Sequence, residues 1–108
     1  MLDRVIKPWA YFLGTVAGGV LTARQASGCT CARTAAGLFT ITYQATKPID
    51  QLERLILLNV AGAANAEIFA YLAAQADGTQ DIEVVDENLG ADTDPTELHF
   101  LCWKVRAQ

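Results

Sequence analysis

The stretch "LFTITY", Leu38 to Tyr43, decides the fold class, because apolar and polar residues alternate along it. A period of two is expected of a β-strand that buries one face, so we predict a half-buried strand here. The stretch "CTCART", Cys29 to Thr34, precedes it, and the glycine of "AAG" at 35–37 can take the positive φ of a tight turn. We therefore predict a β-hairpin that pairs 29–34 with 38–43.

Further strand candidates lie on both sides of this hairpin. Trp9 to Leu13 and Val20 to Arg24 are separated by the glycine-bearing stretch "GTVAGG", and "DIEVVDEN" alternates as an amphipathic strand should. The closing segment, Leu98 to Arg106, is mostly apolar on both faces, which is typical of a central strand covered on both sides. We expect Trp103 to lie in the core.

The segment Gln51 to Gln75 leaves two alternatives open. Its leucines and alanines favour helix by propensity. However, "LILLNVA" is apolar nearly all round over the length of a strand, and "AEIFAYLAAQ" after the turn "GAAN" reads as a returning strand. If the helical alternative held, the protein would be a small helical or α+β intracellular regulator.

Composition limits the architecture and the partners. A chain of 108 residues suits one domain, and about seven to eight short strands favour an all-β fold, a single antiparallel β-sandwich or jelly roll. We assign residues 1–8 to an N-terminal extended arm and 9–108 to the sandwich domain. With 52% hydrophobic and 19% charged residues, some apolar surface is expected to meet a partner.

Two classes of partner are not expected. The net charge of −4, with 8 Lys and Arg, argues against nucleic acid, whose binding requires cations that neutralise phosphates. The apolar run "PWAYFLGTVAGGVL" is shorter than the roughly 20 residues that span a bilayer, and the residues before it make a poor targeting signal. We expect no membrane partner.

The cysteines raise the question of a metal or redox site. Cys29, Cys31, His99 and Cys102 have the inventory of a zinc site, but His99 and Cys102 would point to opposite faces of one strand. We interpret Cys29 and Cys31 as small apolar residues on one strand face, and a pairing of either with Cys102 stays open. The acidic residues of the second half read as a solvated rim. We expect no metal, no cofactor and no catalytic residue, and so no enzyme.

Two stretches resemble a known family. "RTAAGLFTITY", Arg33 to Tyr43, resembles the R-x-x-x-G-x-Y-x-V-T-F hairpin of small β-sandwich proteins encoded among the structural genes of tailed bacteriophages. "DTDPTELHFLCWKV", Asp92 to Val105, is similar to the D-P-x-x-F-x-F-x-V-x-x-V ending of the same group. Members resemble jelly rolls of the C1q and tumour-necrosis-factor type and serve as head decoration or cement proteins, head fibres or tail-fibre tips. This resemblance favours the strand alternative for Gln51 to Gln75.

The resemblance implies a structural protein of the virion. It would be made in the host cytoplasm, bind the outer surface of the major capsid protein lattice and stabilise the head, as a homo-oligomer for which we expect a trimer. We expect the N-terminal arm to contact a neighbour through Leu2, Arg4, Ile6 and Trp9. The alternative is a tail-associated module that binds a receptor or a carbohydrate.

Overall fold

The computed structural model describes residues 7–46, 48–62 and 67–105, and about two-thirds of these residues lie in β-strands. A single turn of 3₁₀ helix, Gln51–Glu53, precedes β5. The strands in chain order are β1 (Ala10–Ala17), β2 (Val20–Ser27), β3 (Cys29–Ala35), β4 (Leu38–Tyr43), β5 (Arg54–Ala61), β6 (Ile68–Ala76), β7 (Thr79–Asp86), β8 (Ala91–Asp92) and β9 (Glu97–Lys104).

The strands form two antiparallel sheets. Sheet A has the order β2-β1-β9-β5, and sheet B has the order β3-β4-β7-β6 with the short strand β8 paired to β7. The chain passes from sheet A to sheet B between β2 and β3, at Gly28, whose φ is 76°. The predicted all-β antiparallel sandwich is confirmed, with nine strands in the described residues where about seven to eight were expected.

The core lies between the sheets and is built mainly by four strands. Strands β1, β4, β7 and β9 bury nearly every second residue, as strands with one covered face must. Phe39 and Phe100, at 1% and 0% exposed, are its largest fully buried side chains. The buried apolar residues are Ala10, Phe12, Val16, Cys29, Phe39, Ile41, Tyr43, Ile49, Ile82, Val84, Leu98, Phe100 and Cys102.

The predicted hairpin is confirmed, and β4 has the predicted bounds. Cys29 is opposite Tyr43, and the turn between β3 and β4 contains Gly37 at a φ of 72°. The stretch "GTVAGG" is a turn only at its end. Gly14 belongs to β1, and the turn consists of Gly18 and Gly19, both at positive φ.

The described residues of Gln51 to Gln75 form β5 and β6 after the 3₁₀ turn Gln51–Glu53, so the helical alternative is wrong. Strand β5 pairs with β9 along its whole length, from Arg54 opposite Lys104 to Ala61 opposite Glu97. This long-range pairing overrides the local helix propensity of leucine and alanine, because strand preference is set mainly by packing and cross-strand neighbours.

The expectation for β9 is only half right. The strand is central, between β1 and β5, and its inward residues are fully buried. Its outward residues are only half-buried, since no described element lies over sheet A, and Trp103 is one of them. The prediction that Trp103 lies in the core is therefore wrong. No helix in the described ranges is long and apolar enough to cross a membrane.

Candidate interaction surface

The two stretches that carry the family resemblance meet in space through one carboxylate. Asp94 Oδ1 accepts hydrogen bonds from Arg33 Nε at 3.0 Å and from the Gly37 N–H at 2.9 Å. Asp94 Oδ2 accepts two more, from Arg33 Nη2 at 2.8 Å and from Arg33 Nε at 3.2 Å. The side chains of Arg33 and Asp94 are about three-quarters buried, at 24% and 25% exposed. We call Arg33, Gly37 and Asp94 the hairpin lock.

The lock joins the β3–β4 hairpin to the loop that leads into β9. Backbone contacts accompany it, because the Val84 N–H donates to the Gly37 carbonyl at 2.8 Å and the Thr93 N–H donates to the Val84 carbonyl at 3.0 Å. Pro95, next to Asp94, is fully buried. The interpretation of Asp94 as part of a solvated acidic rim is therefore wrong: this carboxylate holds the fold together.

Hydrogen bonds from Arg33 hold the pKa of Asp94 below its ordinary value against the opposing effect of burial, and the Gly37 N–H adds to the lowering. A carboxyl whose pKa is lower in the folded state stabilises the fold fully above its unfolded pKa, about 3.9. We expect this contribution to disappear as the pH falls through the lowered folded pKa. Asp94→Asn should therefore melt below wild type at about pH 6 and approach it near pH 2. Circular dichroism melts of both proteins measure this difference, and a gap constant with pH would contradict the account.

The candidate metal residues do not converge. Cys29 and Cys31 lie on the inward side of β3, which confirms their predicted packing on one strand face. Cys102 is buried on the inward side of β9, whereas His99 points outward from the same strand. Among the described residues no group of three or more His, Cys, Asp or Glu is placed to hold a metal ion.

Burial also makes the thiols poor nucleophiles. It raises the pKa of Cys31 to about 12, with a further contribution from Cys29, and burial likewise raises the pKa of Cys102. The hydroxyl of Tyr43 faces the same interior, and burial raises its pKa as well. These groups serve as core packing.

The predicted partner contacts of the arm lie mostly beyond the described residues. Leu2, Arg4 and Ile6 are outside the described ranges. Trp9 packs against the core, its backbone N–H donates to the Cys102 carbonyl at 2.7 Å, and Lys104 Nζ lies 4.8 Å from the centre of its ring. Contact of these four residues with a neighbour stays a prediction.

The outward face of sheet A carries a contiguous set of apolar side chains. Cross-strand partners share a face, so Tyr11, Leu101 and Leu57 form one row across β1, β9 and β5. Leu13 and the pair of Trp103 and Leu55 flank this row on either side. Leu55 and Leu57 are 59% and 55% exposed. We call this set the A-face; its residues are Tyr11, Leu13, Leu55, Leu57, Leu101 and Trp103.

A polar groove borders the A-face. It encloses about 400 Å³. Arg24 Nη1 lies 3.1 Å from Glu97 Oε1, and His99 Nε2 lies 3.6 Å from the same oxygen. These side chains offer hydrogen-bond donors and acceptors beside an apolar surface, an arrangement suited to a polar ligand. The groove is lined by Leu13, Arg24, Gln25, Glu97 and His99.

A second cavity of about 410 Å³ lies at the other end of β9. Arg54 connects several elements at this end of the sandwich. Its guanidinium donates to the carbonyls of Ile49, Ala76 and Thr79. It also lies 4.6 Å from the centre of the Tyr43 ring. The cavity is lined by Tyr43, Gln44, Ala45, Pro48, Ile49, Asp50, Glu53, Asp77, Gly78 and Lys104.

The outward face of sheet B is acidic, in contrast to the A-face. Thr40 Oγ1 donates to Asp81 Oδ1 at 2.9 Å. Hydrogen bonding between Glu83 and Asp92 lowers the pKa of Glu83 and raises that of Asp92, and the Tyr71 hydroxyl also hydrogen-bonds Glu83. Three carboxyl groups thus lie on one broad side of the sandwich, so the two broad faces differ in charge.

A scan against protein-family models, a search of curated proteins and a search of solved structures each found no match to this chain.

Proposed function

We propose that the protein is a capsid decoration or cement protein of a tailed bacteriophage. It binds the outer surface of the major capsid protein lattice, stabilises the head and is incorporated into the virion after synthesis in the host cytoplasm. It acts as a homo-oligomer, for which we expect a trimer.

The hairpin lock is the observation that supports this proposal most. Arg33 and Gly37 belong to the first stretch that resembles the phage family, and Asp94 belongs to the second. Their contacts show that the two stretches form one structural unit. A resemblance carried by residues that depend on one another is stronger than two separate strand patterns.

The surface suits a protein that works through many weak contacts. A decoration protein needs a rigid scaffold, and linked copies bind a lattice with an avidity that exceeds the affinity of each contact. The A-face supplies exposed apolar area, with Leu55 and Leu57 more than half exposed. Exposed apolar patches of this kind mark protein interaction sites.

The test is to mix the purified protein with assembled heads of the virus that encodes it and to image them by cryo-electron microscopy. Regular extra density on the outside of the capsid lattice is the expected result. Bare heads at saturating protein would overturn the proposal.

The polar groove supports a second candidate, the tail-associated carbohydrate-binding module. Gln25, Glu97 and His99 could hydrogen-bond sugar hydroxyls beside the ring of Tyr11. A glycan array probed with the isolated protein distinguishes the two candidates: binding to sugars together with bare heads would favour the tail module.

Deleting residues 1–8 is expected to weaken binding to heads by about tenfold or more, because the linked contact of an arm adds to that of the sandwich. The melting temperature should change little, since Trp9 and its bond to Cys102 remain. Co-sedimentation with heads measures the binding. Undiminished binding would show that Leu2, Arg4 and Ile6 do not contact the capsid or a neighbour.

A further inference from the structure

We propose that the A-face is the surface through which two copies of this chain associate. This association goes beyond the proposed function, because a two-fold contact through the A-face joins copies in pairs, separately from the contacts of the trimer expected there. Its occupant is a second copy of the chain, seated sheet against sheet.

The A-face is a contiguous apolar patch, in which, across β1, β9 and β5, only Leu13 shares its row with polar side chains, those of His99 and Asn59. Three neighbouring strands place their outward side chains in register over it, and β2 adds the uncharged Gln25 and Ser27 beside Leu13 and Tyr11. Across these rows the described outward positions carry no Lys, Arg, Asp or Glu. The nearest outward acid is Glu97, which Arg24 neutralises at 3.1 Å.

The distribution of charge favours the A-face over the outward face of sheet B as the contact between two copies. In a two-fold contact each patch meets the same patch of its partner, so a charged patch meets its own charge. The chain carries a net charge of −4, and the outward face of sheet B holds Asp81, Glu83 and Asp92. Pairing through sheet B would bring these carboxylates together, whereas pairing through the A-face brings apolar side chains together and keeps the carboxylates apart.

The available area sets the strength of the contact. The four strands of sheet A are each eight residues long. At about 4.8 Å between strands and about 3.3 Å per residue, the whole outward face of sheet A, of which the A-face is the apolar part, covers roughly 500 Å² in plan, and its corrugated side chains add to that area. Full overlap reaches the lower end of the range for specific interfaces, about 600 Å² per partner. We therefore expect association that depends on concentration, with a dissociation constant in the micromolar range.

The experiment is sedimentation velocity of the purified full-length protein from about 1 µM to about 200 µM, a range chosen for an interface of this size. The expected result is a rise from the 11.6 kDa chain mass to twice that mass as the concentration increases. A single species at the chain mass over the whole range would overturn the proposal.

Two leucine variants test whether the A-face is the surface through which the copies associate. Leu57→Lys places a charge in the central row of the A-face, on the edge strand β5. It is expected to raise the dissociation constant by about 10- to 100-fold, because each copy contributes one leucine to the contact. Leu89→Lys is the matched control, since Leu89 is 78% exposed and lies in the loop between β7 and β8. Equal effects of the two variants, or no effect of Leu57→Lys, would overturn the assignment.

Two further measurements separate a lost contact from a misfolded chain. Circular dichroism melts at low concentration check folding, and Leu57→Lys should keep the wild-type signal because its side chain is 55% exposed. Leu55→Lys, on the same face, should repeat the effect of Leu57→Lys. No capsid is present in these experiments, so they test association through the A-face separately from binding to heads. Association can be disproved while binding to heads is observed, and binding to heads can be disproved while association is observed.

Discussion

Replacing Phe100 with alanine is expected to lower the free energy of unfolding by about 3–5 kcal/mol. The ring is fully buried on the inward side of β9, and its centroid lies 6.2 Å from that of Tyr43 in the opposite sheet. Its removal leaves a cavity between the sheets. For a domain whose total stability is about 5–15 kcal/mol, this cost is a large fraction.

Phe69→Ala is the matched control for Phe100→Ala. Phe69 lies on the outward side of β6 and is 43% exposed, so its truncation removes less buried area and should cost about 1 kcal/mol or less. Urea denaturation followed by circular dichroism measures both. A cost for Phe100→Ala as small as that for Phe69→Ala would contradict the inward position of Phe100 and would indicate a one-residue slip of β9, because such a slip moves every side chain of a strand to the other face.

The hairpin of β3 and β4 could be predicted from the sequence because its evidence is local. Alternation over 38–43 places Phe39, Ile41 and Tyr43 inward, and the preceding glycine permits the turn. The strands β5 and β6 lack such evidence. Arg54 pairs with Lys104, fifty residues further along the chain, so the partner that makes β5 a strand is invisible in its own composition.

The candidate surfaces are harder to predict than the sheets. The partner of Asp94 lies 61 residues away, and a run of acidic residues around it resembles an ordinary solvated rim. Similarly, apolar residues on both faces of β9 indicate a central strand but do not say whether a second layer covers it. The predicted core position of Trp103 required such a second layer, and Trp103 lies instead on the A-face. Whether an outward side chain is covered depends on which elements the folded chain places over the sheet, and the sequence of one strand does not show this.

Replacing Gly37 with alanine is expected to lower the free energy of unfolding by about 3 kcal/mol. A φ of 72° costs an L-residue about 1 kcal/mol or more, and the new Cβ would lie 2.7 Å from both the Thr93 nitrogen and the Val84 carbonyl oxygen. Both are backbone atoms, so relief requires the hairpin to move away from the loop that carries Asp94. That movement stretches the bond from the Gly37 N–H to Asp94.

Gly78→Ala separates the cost of a positive φ from the cost of the close approach between the new Cβ and backbone atoms. Gly78 occupies a comparable hairpin turn at a φ of 90°, but a Cβ there meets no atom within 4 Å. Its substitution should therefore cost only the conformational part, about 1 kcal/mol. The difference of about 2 kcal/mol between the two variants, read from urea midpoints, measures the close approach at the hairpin lock. Equal costs would show that the hairpin and the loop before β9 are not in close contact at Gly37.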